Sequence, residues 1–249
     1  MVLRIIDTET TGFSPAAGAE VIEIASVDLK IGLNGFTIEN PLHTFVRPLK
    51  GIPPETSAVH HLIEEDVAEA PFIDEAIKPF LGADCYVAHN AQFDVNFLPM
   101  LVATAQGGPK WICTMKAAKR IWPDMKSHSN QAIRYALGLV RPFGLSRDEI
   151  QPHRAHSDVT VTAAILAHIF EHKLARFAEL IDWTTQPMAL PVMPVGKHKG
   201  KKWEDIDGDY LTWIANSDMG DDIKYAAKQE RMRRQNVANG LKPVASAAK

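Results

Sequence analysis

The stretch Ile5-Ile6-Asp7-Thr8-Glu9-Thr10-Thr11-Gly12 constrains the fold of this chain more than any other. An apolar run that ends at a glycine turn is typical of a buried strand. Side chains alternate along a strand, so Asp7 and Glu9 lie on one face, near the strand end where open α/β sheets bind ligands. Two such charges repel unless a cation lies between them, and oxygen ligands favour Mg²⁺ or Mn²⁺. Alone, the pair is also compatible with two solvated acids.

Composition places the chain among ordinary globular proteins with one sizeable core. It has 249 residues, of which 46% are hydrophobic and 23% are charged. The net charge of −3 excludes a global basic field, although a local basic surface is enough to bind nucleic acid. Cys85 and Cys113 lie in apolar runs and are predicted to be buried thiols, not disulfide or zinc ligands. Without a signal peptide or an apolar run of ~18 residues, no membrane association is expected, and the expected location is cytoplasmic.

The apolar pattern predicts an α/β fold with a mixed sheet. A strand before Asp7 is followed by predicted strands at 20–30 and 43–46, which favours an antiparallel meander on one side of the sheet. Short strands are predicted at 85–88 and 111–113. Helical spacing predicts helices at 72–81, 93–104, 115–121, 130–137, 155–170 and 174–182.

Prolines near residue 190 indicate a boundary between two parts of the chain. A Pro-rich linker is predicted at 184–194, after a main domain at 1–183. A small basic and aromatic unit is predicted at 195–234. The last residues, 235–249, are rich in Ala, Asn and Lys and are predicted to be disordered.

The small unit combines a lysine-rich segment, 197–202, with Trp203, Tyr210 and Trp213. One interpretation is a surface that binds the nucleic-acid backbone. The alternative is a small domain whose aromatic residues form its core and whose lysines face solvent.

Two further acids lie at the start of predicted helices. Asp94 falls in the first turn after a short strand, and Asp158 opens the helix at 155–170. Five helical residues would turn His153 ~140° away from Asp158, so His153 must lie on the preceding loop if both meet one centre. A histidine on a loop can approach a reacting centre and withdraw from it, which suits a general base. Considered alone, each acid is also explained as a helix cap, and His153 is also explained as a surface residue.

Together these residues have a more specific meaning. Four carboxylates and a histidine are what two-metal phosphoryl hydrolysis requires, with ions ~3.5–4 Å apart and a base to remove a proton from water. The candidate metal ligands are Asp7, Glu9, Asp94 and Asp158, and the candidate catalytic set adds His153.

The order of these motifs resembles that of the DEDDh 3′→5′ exonucleases over roughly residues 1–180. Asp7-x-Glu9 is followed by His-Asn-x-x-Phe-Asp ending at Asp94, and by His-x-Ala-x-x-Asp from His153 to Asp158. The resemblance implies a ribonuclease-H-like fold with a five-stranded mixed sheet flanked by helices, to which the small C-terminal appendage is added.

The resemblance also implies residue roles and cofactors. Asp7, Glu9 and Asp158 would hold one Mg²⁺ ion, and Asp7 would bridge to a second, to which Asp94 contributes directly or through water. Mn²⁺ would substitute for Mg²⁺. His153 would be the general base, and the products would be nucleoside 5′-monophosphates released from a 3′ end.

Substrate contacts are predicted around the first two motifs. Thr10 and Thr11 would bond the terminal nucleotide through backbone or hydroxyl groups. Phe13 would either stack on a terminal base or fill the core. Asn90 and Phe93 are further candidates, with a turn position and a core position as their respective alternatives.

The leading hypothesis is therefore a metal-dependent 3′→5′ exodeoxyribonuclease acting on DNA 3′ ends, both single-stranded and duplex, in repair, recombination or proofreading. The first alternative is an exoribonuclease of the ribonuclease T or oligoribonuclease type, because the motifs do not distinguish DNA from RNA. The second is a non-catalytic nucleic-acid-binding module, and the third is a metal-free protein whose acids are helix caps. A homodimer is compatible with the sequence, although no residue pattern indicates one.

Overall fold

The computed structural model describes residues 1–33, 35–102, 108–188 and 190–240. Within these ranges the chain forms two compact units, one up to Thr184 and one from Thr185 onward. The described residues contain no helix with both the length and the apolarity needed to span a membrane.

A mixed sheet is the centre of the first unit. The strands described in the chain are β1 (Leu3–Thr10), β2 (Val21–Gly32), β3 (Gly35–Phe45), β4 (Cys85–Ala88) and β5 (Lys110–Cys113), in the order β3-β2-β1-β4-β5. The first three form an antiparallel meander, whereas β4 and β5 run parallel to β1. The predicted five-stranded mixed sheet is confirmed, and β1 lies at its centre.

Both faces of the sheet are covered. Alternate residues of β1 point to opposite sides, so Leu3 and Ile5 join one hydrophobic cluster and Ile6 joins another. The α-helices in the described residues are α1 (Pro54–His60), α2 (Glu64–Val67), α3 (Ile73–Ala76), α4 (Gln92–Phe97), α5 (Thr114–Ile121), α6 (Asn130–Ala136), α7 (Ala155–Glu171), α8 (Phe177–Thr185), α9 (Gly208–Ala215) and α10 (Asp221–Ala238).

Helix α7 is the longest helix of the first unit and covers the face of β1 that carries Leu3 and Ile5. Its buried residues, among them Val159 and Ala163, belong to the same hydrophobic cluster as those two side chains. Asp7 and Glu9 follow Leu3 and Ile5 on this face. The fold therefore brings the first turn of α7 to the two acids of β1.

Three predicted elements have different bounds in the structure. The strand predicted at 43–46 is the end of the much longer β3, whose polar, exposed residues hide its alternation. The helix predicted at 72–81 is only α3 followed by a 3-10 turn that contains Pro79. The helix predicted at 93–104 ends at Phe97, because Pro99 cannot continue a helix, and residues 103–104 lie outside the described residues.

The second unit has its own core and includes most of the predicted linker. Met193 is completely buried, and its N–H donates to the Lys201 carbonyl at 2.9 Å. The Trp203 indole N–H donates to the Leu190 carbonyl at 2.7 Å. Leu190 and Met193, which lie in the predicted linker, are therefore held to this unit by hydrogen bonds, and Met193 also by burial. Helix α10 continues to Ala238, so 235–238 are ordered; residues 241–249 of the predicted tail lie outside the described residues.

Candidate active site

Three of the predicted acids converge at the C-terminal half of β1. One carboxylate oxygen each from Asp7, Glu9 and Asp158 lies within 4.8 Å of the others. Asp7 and Glu9 come from one face of β1, and Asp158 comes from the first turn of α7. The convergence follows directly from the packing of α7 on that face of the sheet.

The fourth acid, Asp94, lies in the first turn of α4, directly after β4, the parallel neighbour of β1. It is buried, and its Oδ1 accepts a hydrogen bond from the Thr8 hydroxyl at 3.0 Å. Asp94 is not part of the 4.8 Å group, but its negative charge contributes to the raised pKa of Asp7. The structure thus places it beside the group rather than inside it.

Burial and mutual repulsion make these carboxylates costly to ionise. Burial, followed by the charges of Asp94 and Asp158, raises the pKa of Asp7 well above its usual range. Burial, reinforced by the charge of Asp158, raises the pKa of Glu9 to about 8. Burial also raises the pKa of Asp94 to about 7, although the hydrogen bond from Thr8 opposes this. A divalent cation would relieve the repulsion, so the donor set fits a hard metal ion.

His153 lies on the loop before α7, where the sequence places it. Its backbone has a φ of 60°, its side chain is exposed, and its N–H donates to Asp158 Oδ2 at 2.9 Å. This bond fixes the backbone of His153 to one of the converging acids while the imidazole stays in contact with solvent.

A chain of hydrogen bonds orients Asp158 from the other side. The Gln131 side-chain amide donates to Asp158 Oδ1 at 2.9 Å, and Arg134 Nη1 donates to Gln131 Oε1 at 3.0 Å. Arg134 is only 2% exposed and also donates to the Val140 carbonyl at 2.8 Å. Arg134 is therefore a buried structural residue, and Gln131 is a contact of Asp158 that the sequence does not indicate.

We expect Gln131→Met, which keeps the shape and removes the donor, to weaken metal-dependent activity. Removing a partner that orients a metal ligand typically costs ~10–100-fold in metal affinity or activity. The Mg²⁺ concentration for half-maximal activity should rise by about that factor, as measured in a Mg²⁺ titration. Gln92→Met, at an exposed position of α4, is the control. An unchanged Mg²⁺ requirement in Gln131→Met would contradict this role of Gln131.

Glu23 on β2 is a second buried residue near the converging acids that the sequence does not single out. It is completely buried and lies opposite Glu9 in the strand register. It accepts hydrogen bonds from Arg154 Nη2 at 2.9 Å, from His43 Nε2 at 2.7 Å and from the Ala155 N–H at 3.1 Å. Burial alone would raise the pKa of Glu23, but the bonds from His43 and Arg154 outweigh it and lower the pKa to about 2.

These bonds connect the sheet to the start of α7. Arg154 and Ala155 lie between His153 and Asp158 in the sequence, so Glu23 fixes the segment that carries both. Glu23 and His43 also offer ligand atoms close to His156. Because the guanidinium of Arg154 already contacts both Glu23 oxygens, this cluster is an ion-pair network and not a metal site.

The predicted substrate residues of the first motif have different environments. The Thr10 hydroxyl donates to the Gly12 carbonyl at 2.7 Å, and Thr11 Oγ1 accepts from the Glu20 N–H at 2.9 Å. Both hydroxyls therefore stabilise the loop after β1. Phe13 on this loop is 94% exposed, which excludes the alternative that it fills the core.

The two candidate substrate residues of the second motif, Asn90 and Phe93, differ in their exposure to solvent. Asn90 is exposed in the turn between β4 and α4, with a left-handed φ of 72°. Phe93 is half-buried, and its ring centroid lies 4.9 Å from that of Phe97 in the second hydrophobic cluster. The packing of Phe93 favours its core alternative, whereas Asn90 is accessible from solvent.

Comparison with known proteins adds to this geometry. Residues 5–166 match the family model described as an exonuclease. The chain is 38% identical over 221 residues to exodeoxyribonuclease 10 of Escherichia coli strain K12, a match that covers 87% of this chain and 91% of that protein.

The chain belongs to the exonuclease family. Its resemblance to the DEDDh 3′→5′ exonucleases is thereby confirmed, and such an exonuclease depends on divalent metal ions. A DNA polymerase III subunit epsilon-like protein of Rhodobacter capsulatus is 31% identical over 179 residues, which span 69% of this chain and 24% of that protein.

Solved structures agree with this assignment. Exonuclease X in complex with 5′-overhanging duplex DNA has a TM-score of 0.59 and 37% identity, over 73% of this chain and 99% of that one. The nuclease domain of 3′hExo, a DEDDh family member bound to rAMP, has a TM-score of 0.55 and 19% identity, over 69% and 92% of the two chains, and supports the fold alone. The predicted ribonuclease-H-like fold is confirmed.

The similarity to exonuclease X agrees with three segments of the sequence. Besides the first motif, they are Trp111-Ile112-Cys113-Thr114-Met115-Lys116 and the Gly-Lys-x-x-Gly-Lys pattern that begins at Gly196. These segments resemble the exodeoxyribonuclease X branch of the family. From its sequence, this chain is expected to differ from that branch by a longer loop after the first motif and a longer C-terminal tail.

Proposed function

We propose that this exonuclease is a Mg²⁺-dependent 3′→5′ exodeoxyribonuclease that releases nucleoside 5′-monophosphates from DNA 3′ ends. The observation that carries the proposal is the convergence of Asp7, Glu9 and Asp158 within 4.8 Å, beside Asp94. The choice of DNA is supported by the relatives, since exodeoxyribonuclease 10 shares 38% of its residues and a similar structure holds duplex DNA.

The donor set supports two divalent ions. Asp7, Glu9 and Asp158 would hold one, and Asp7 with Asp94 would hold the other. When bound, such ions lower the pKa of water and stabilise the charge on the leaving oxygen. Mn²⁺ is expected to substitute for Mg²⁺, because both prefer hard oxygen ligands.

The residues of the chain supply the remaining steps. The imidazole of His153 is exposed beside Asp158, and it accepts the proton of the attacking water. Gln131 and the N–H of His153 hold the two oxygens of Asp158 in a fixed orientation. Phe13, exposed on the loop after β1, offers a ring on which a terminal base stacks.

Digestion of one 5′-labelled sequence as single-stranded DNA, duplex DNA and RNA, with Mg²⁺, tests the proposal. We expect a ladder that shortens from the 3′ end on DNA and that disappears in Asp7→Ala. Faster loss of RNA would assign the chain to the exoribonuclease alternative. A folded wild-type protein that binds Mg²⁺ and cleaves none of the three substrates would refute the proposed activity.

We expect His153→Asn to separate proton transfer from metal binding. Asparagine tolerates the left-handed backbone of residue 153 better than most residues, so the loop and its bond to Asp158 are retained. Loss of a general base typically costs ~10²–10⁴-fold in rate. The turnover number should fall by that factor, while the rise in melting temperature caused by Mg²⁺ stays the same. A variant with normal turnover would exclude His153 as the base.

A further inference from the structure

The second unit divides its aromatic residues between a core and a surface. Trp203 is 8% exposed and packs with Leu211 and Ile214 in the hydrophobic core of this unit. Trp213, by contrast, is 53% exposed. The alternative in which all the aromatic residues form the core therefore fails for Trp213, and its exposure requires another explanation.

Trp213 is part of an ordered stack. It lies one helical turn after Tyr210 on α9, and the two ring centroids are 5.2 Å apart with an angle of 29° between the planes. Lys197 Nζ lies 4.7 Å from the centroid of the Tyr210 ring, and the His198 ring packs edge-on against Tyr210 with the centroids 4.5 Å apart. The flat surface is held in place before any ligand arrives, so binding costs little side-chain entropy.

Positive charge lies next to this stack. Four of the six residues from 197 to 202 are exposed lysines, namely Lys197, Lys199, Lys201 and Lys202. In the described part of the chain, Lys199 and Lys201 form no ion pair, whereas Lys202 is 3.7 Å from Glu204. We use the name aromatic–basic face for these four lysines together with Tyr210, which Lys197 contacts, and Trp213, which stacks on Tyr210.

The backbone of the lysine segment is also fixed. The Gly200 N–H donates to the Met193 carbonyl at 2.7 Å, and the Met193 N–H donates back to the Lys201 carbonyl at 2.9 Å. The segment is thus tied to the buried Met193, and its lysines project from a rigid base.

We propose that the aromatic–basic face binds single-stranded DNA, with a base stacked on the exposed ring of Trp213, which packs against Tyr210, and with phosphates against the lysines. Aromatic platforms beside positive charge suit single strands, because an unpaired base exposes a ring face that a duplex conceals. The choice of DNA as the nucleic acid rests on the proposed function, whereas the surface itself does not.

The face has a consequence for how substrates of different length bind. The face shares no residue with the candidate active site. A long strand makes more contacts than a strand of a few nucleotides, so it gains more from a second binding surface. Variants of the face should therefore weaken the binding of long strands and leave the turnover of very short oligonucleotides unchanged.

Fluorescence anisotropy of the full chain with a labelled 30-nucleotide single strand, in EDTA, tests binding without cleavage. We expect Trp213→Ala to weaken binding roughly 5- to 100-fold, the loss typical of one base–aromatic stack. In Lys199→Gln/Lys201→Gln the slope of log affinity against log salt should fall by about 1.4, at ~0.7 for each phosphate contact. Met232→Ala and Lys228→Gln, exposed on α10, are matched controls and should stay within twofold of wild type.

The outcomes separate this proposal from the proposed function. If Trp213→Ala and Lys199→Gln/Lys201→Gln both keep the wild-type affinity and salt slope, the proposal that this face binds DNA is refuted, even if the chain still cleaves DNA. Tighter binding of the matching RNA strand would overturn the choice of DNA. The assay measures binding without cleavage. Loss of binding in the face variants would therefore support the proposed binding surface even if the protein cleaves no substrate. Trp213→Phe, which keeps a ring at an exposed position, should recover part of the affinity, which excludes misfolding as the cause.

Discussion

We expect Asp7→Asn to abolish nuclease activity and, in the absence of metal, to make the protein more stable. The change keeps the shape of the side chain and removes one charge from a buried cluster in which burial, Asp94 and Asp158 all raise the pKa of Asp7. A gain of ~1 kcal/mol shifts the melting temperature of a protein this size by ~2–4 °C, so an increase of a few degrees in EDTA is expected. Because Asp7 is proposed to hold both ions, the rate should fall by more than ~10⁴-fold.

The pH dependence of this stabilisation has a definite sign. A carboxyl group whose pKa is raised in the folded state destabilises the fold progressively as the pH rises above its unfolded value, near 3.8. The advantage of Asp7→Asn should therefore be larger at pH 9 than at pH 6. Melting curves in EDTA and in Mg²⁺ measure both effects, and Mg²⁺ should stabilise wild type more than the variant.

The control is Asp124→Asn, which removes one exposed acid of the same unit. It should change neither the metal-free melting temperature nor the response to Mg²⁺. A wild-type response to Mg²⁺ in Asp7→Asn would show that the cluster is not where the metal binds.

Glu23→Gln is expected to cause the largest loss of stability. It leaves the guanidinium of Arg154, whose side chain is 18% exposed, without its counter-charge. Breaking a buried ion pair in this way typically costs roughly 3–5 kcal/mol, which corresponds to a fall of the order of 10 °C in melting temperature. Activity should fall as well, because Glu23 fixes the segment that carries His153 and Asp158.

A second ion pair of the same sheet provides a matched comparison. Asp28 is 4% exposed and accepts hydrogen bonds from Arg4 at 2.8 and 3.0 Å. Asp28→Asn should also lower the melting temperature, yet the Mg²⁺ concentration for half-maximal activity should stay at the wild-type value. Glu23→Gln should raise that concentration, and equal Mg²⁺ requirements in the two variants would contradict a positioning role for Glu23.

Acid titration gives an independent test of the Glu23 network. The folded-state pKa of Glu23 is lowered to about 2 from 4.5, so its stabilising contribution is complete above pH ~4.5 and is lost as the pH falls towards ~2. The difference in melting temperature between wild type and Glu23→Gln should shrink over this window. A constant difference from pH 5 to pH 2.5 would show that Glu23 has no depressed pKa.

The sequence alone was enough to predict where the acids lie, because each of them stands at the end of a strand or helix that its residue pattern reveals. Asp7 and Glu9 end an apolar strand, and Asp158 opens an amphipathic helix, so periodicity alone predicts where each acid lies. The placement of His153 follows from helix geometry in the same way. The three early strands predicted an antiparallel meander on one side of a mixed sheet, and the family resemblance implied that the sheet has five strands.

The positioning residues could not be recognised because their partners are distant in the chain. Glu23 looks like one polar residue in the alternation of β2, and only the packing of α7 brings Arg154 to it, 131 positions later. Gln131 is similarly inconspicuous until Asp158 lies beside it. The missed length of β3 has a different cause, because an exposed edge strand with a proline and several polar residues lacks the apolar alternation on which strand prediction depends.

The central position of β1 connects the candidate metal site to the exchange of backbone amide hydrogens. The ligands extend from residue 7 to residue 158, and only the assembled sheet brings them together. Amides in a central strand exchange with solvent mainly when the whole domain opens. An ion that binds only the closed state should therefore slow deuterium uptake by one common factor at every amide that exchanges only through this opening, including the buried amides of β4, a strand that provides no ligand. The binding of one ion would then be measurable in a strand that does not contact it.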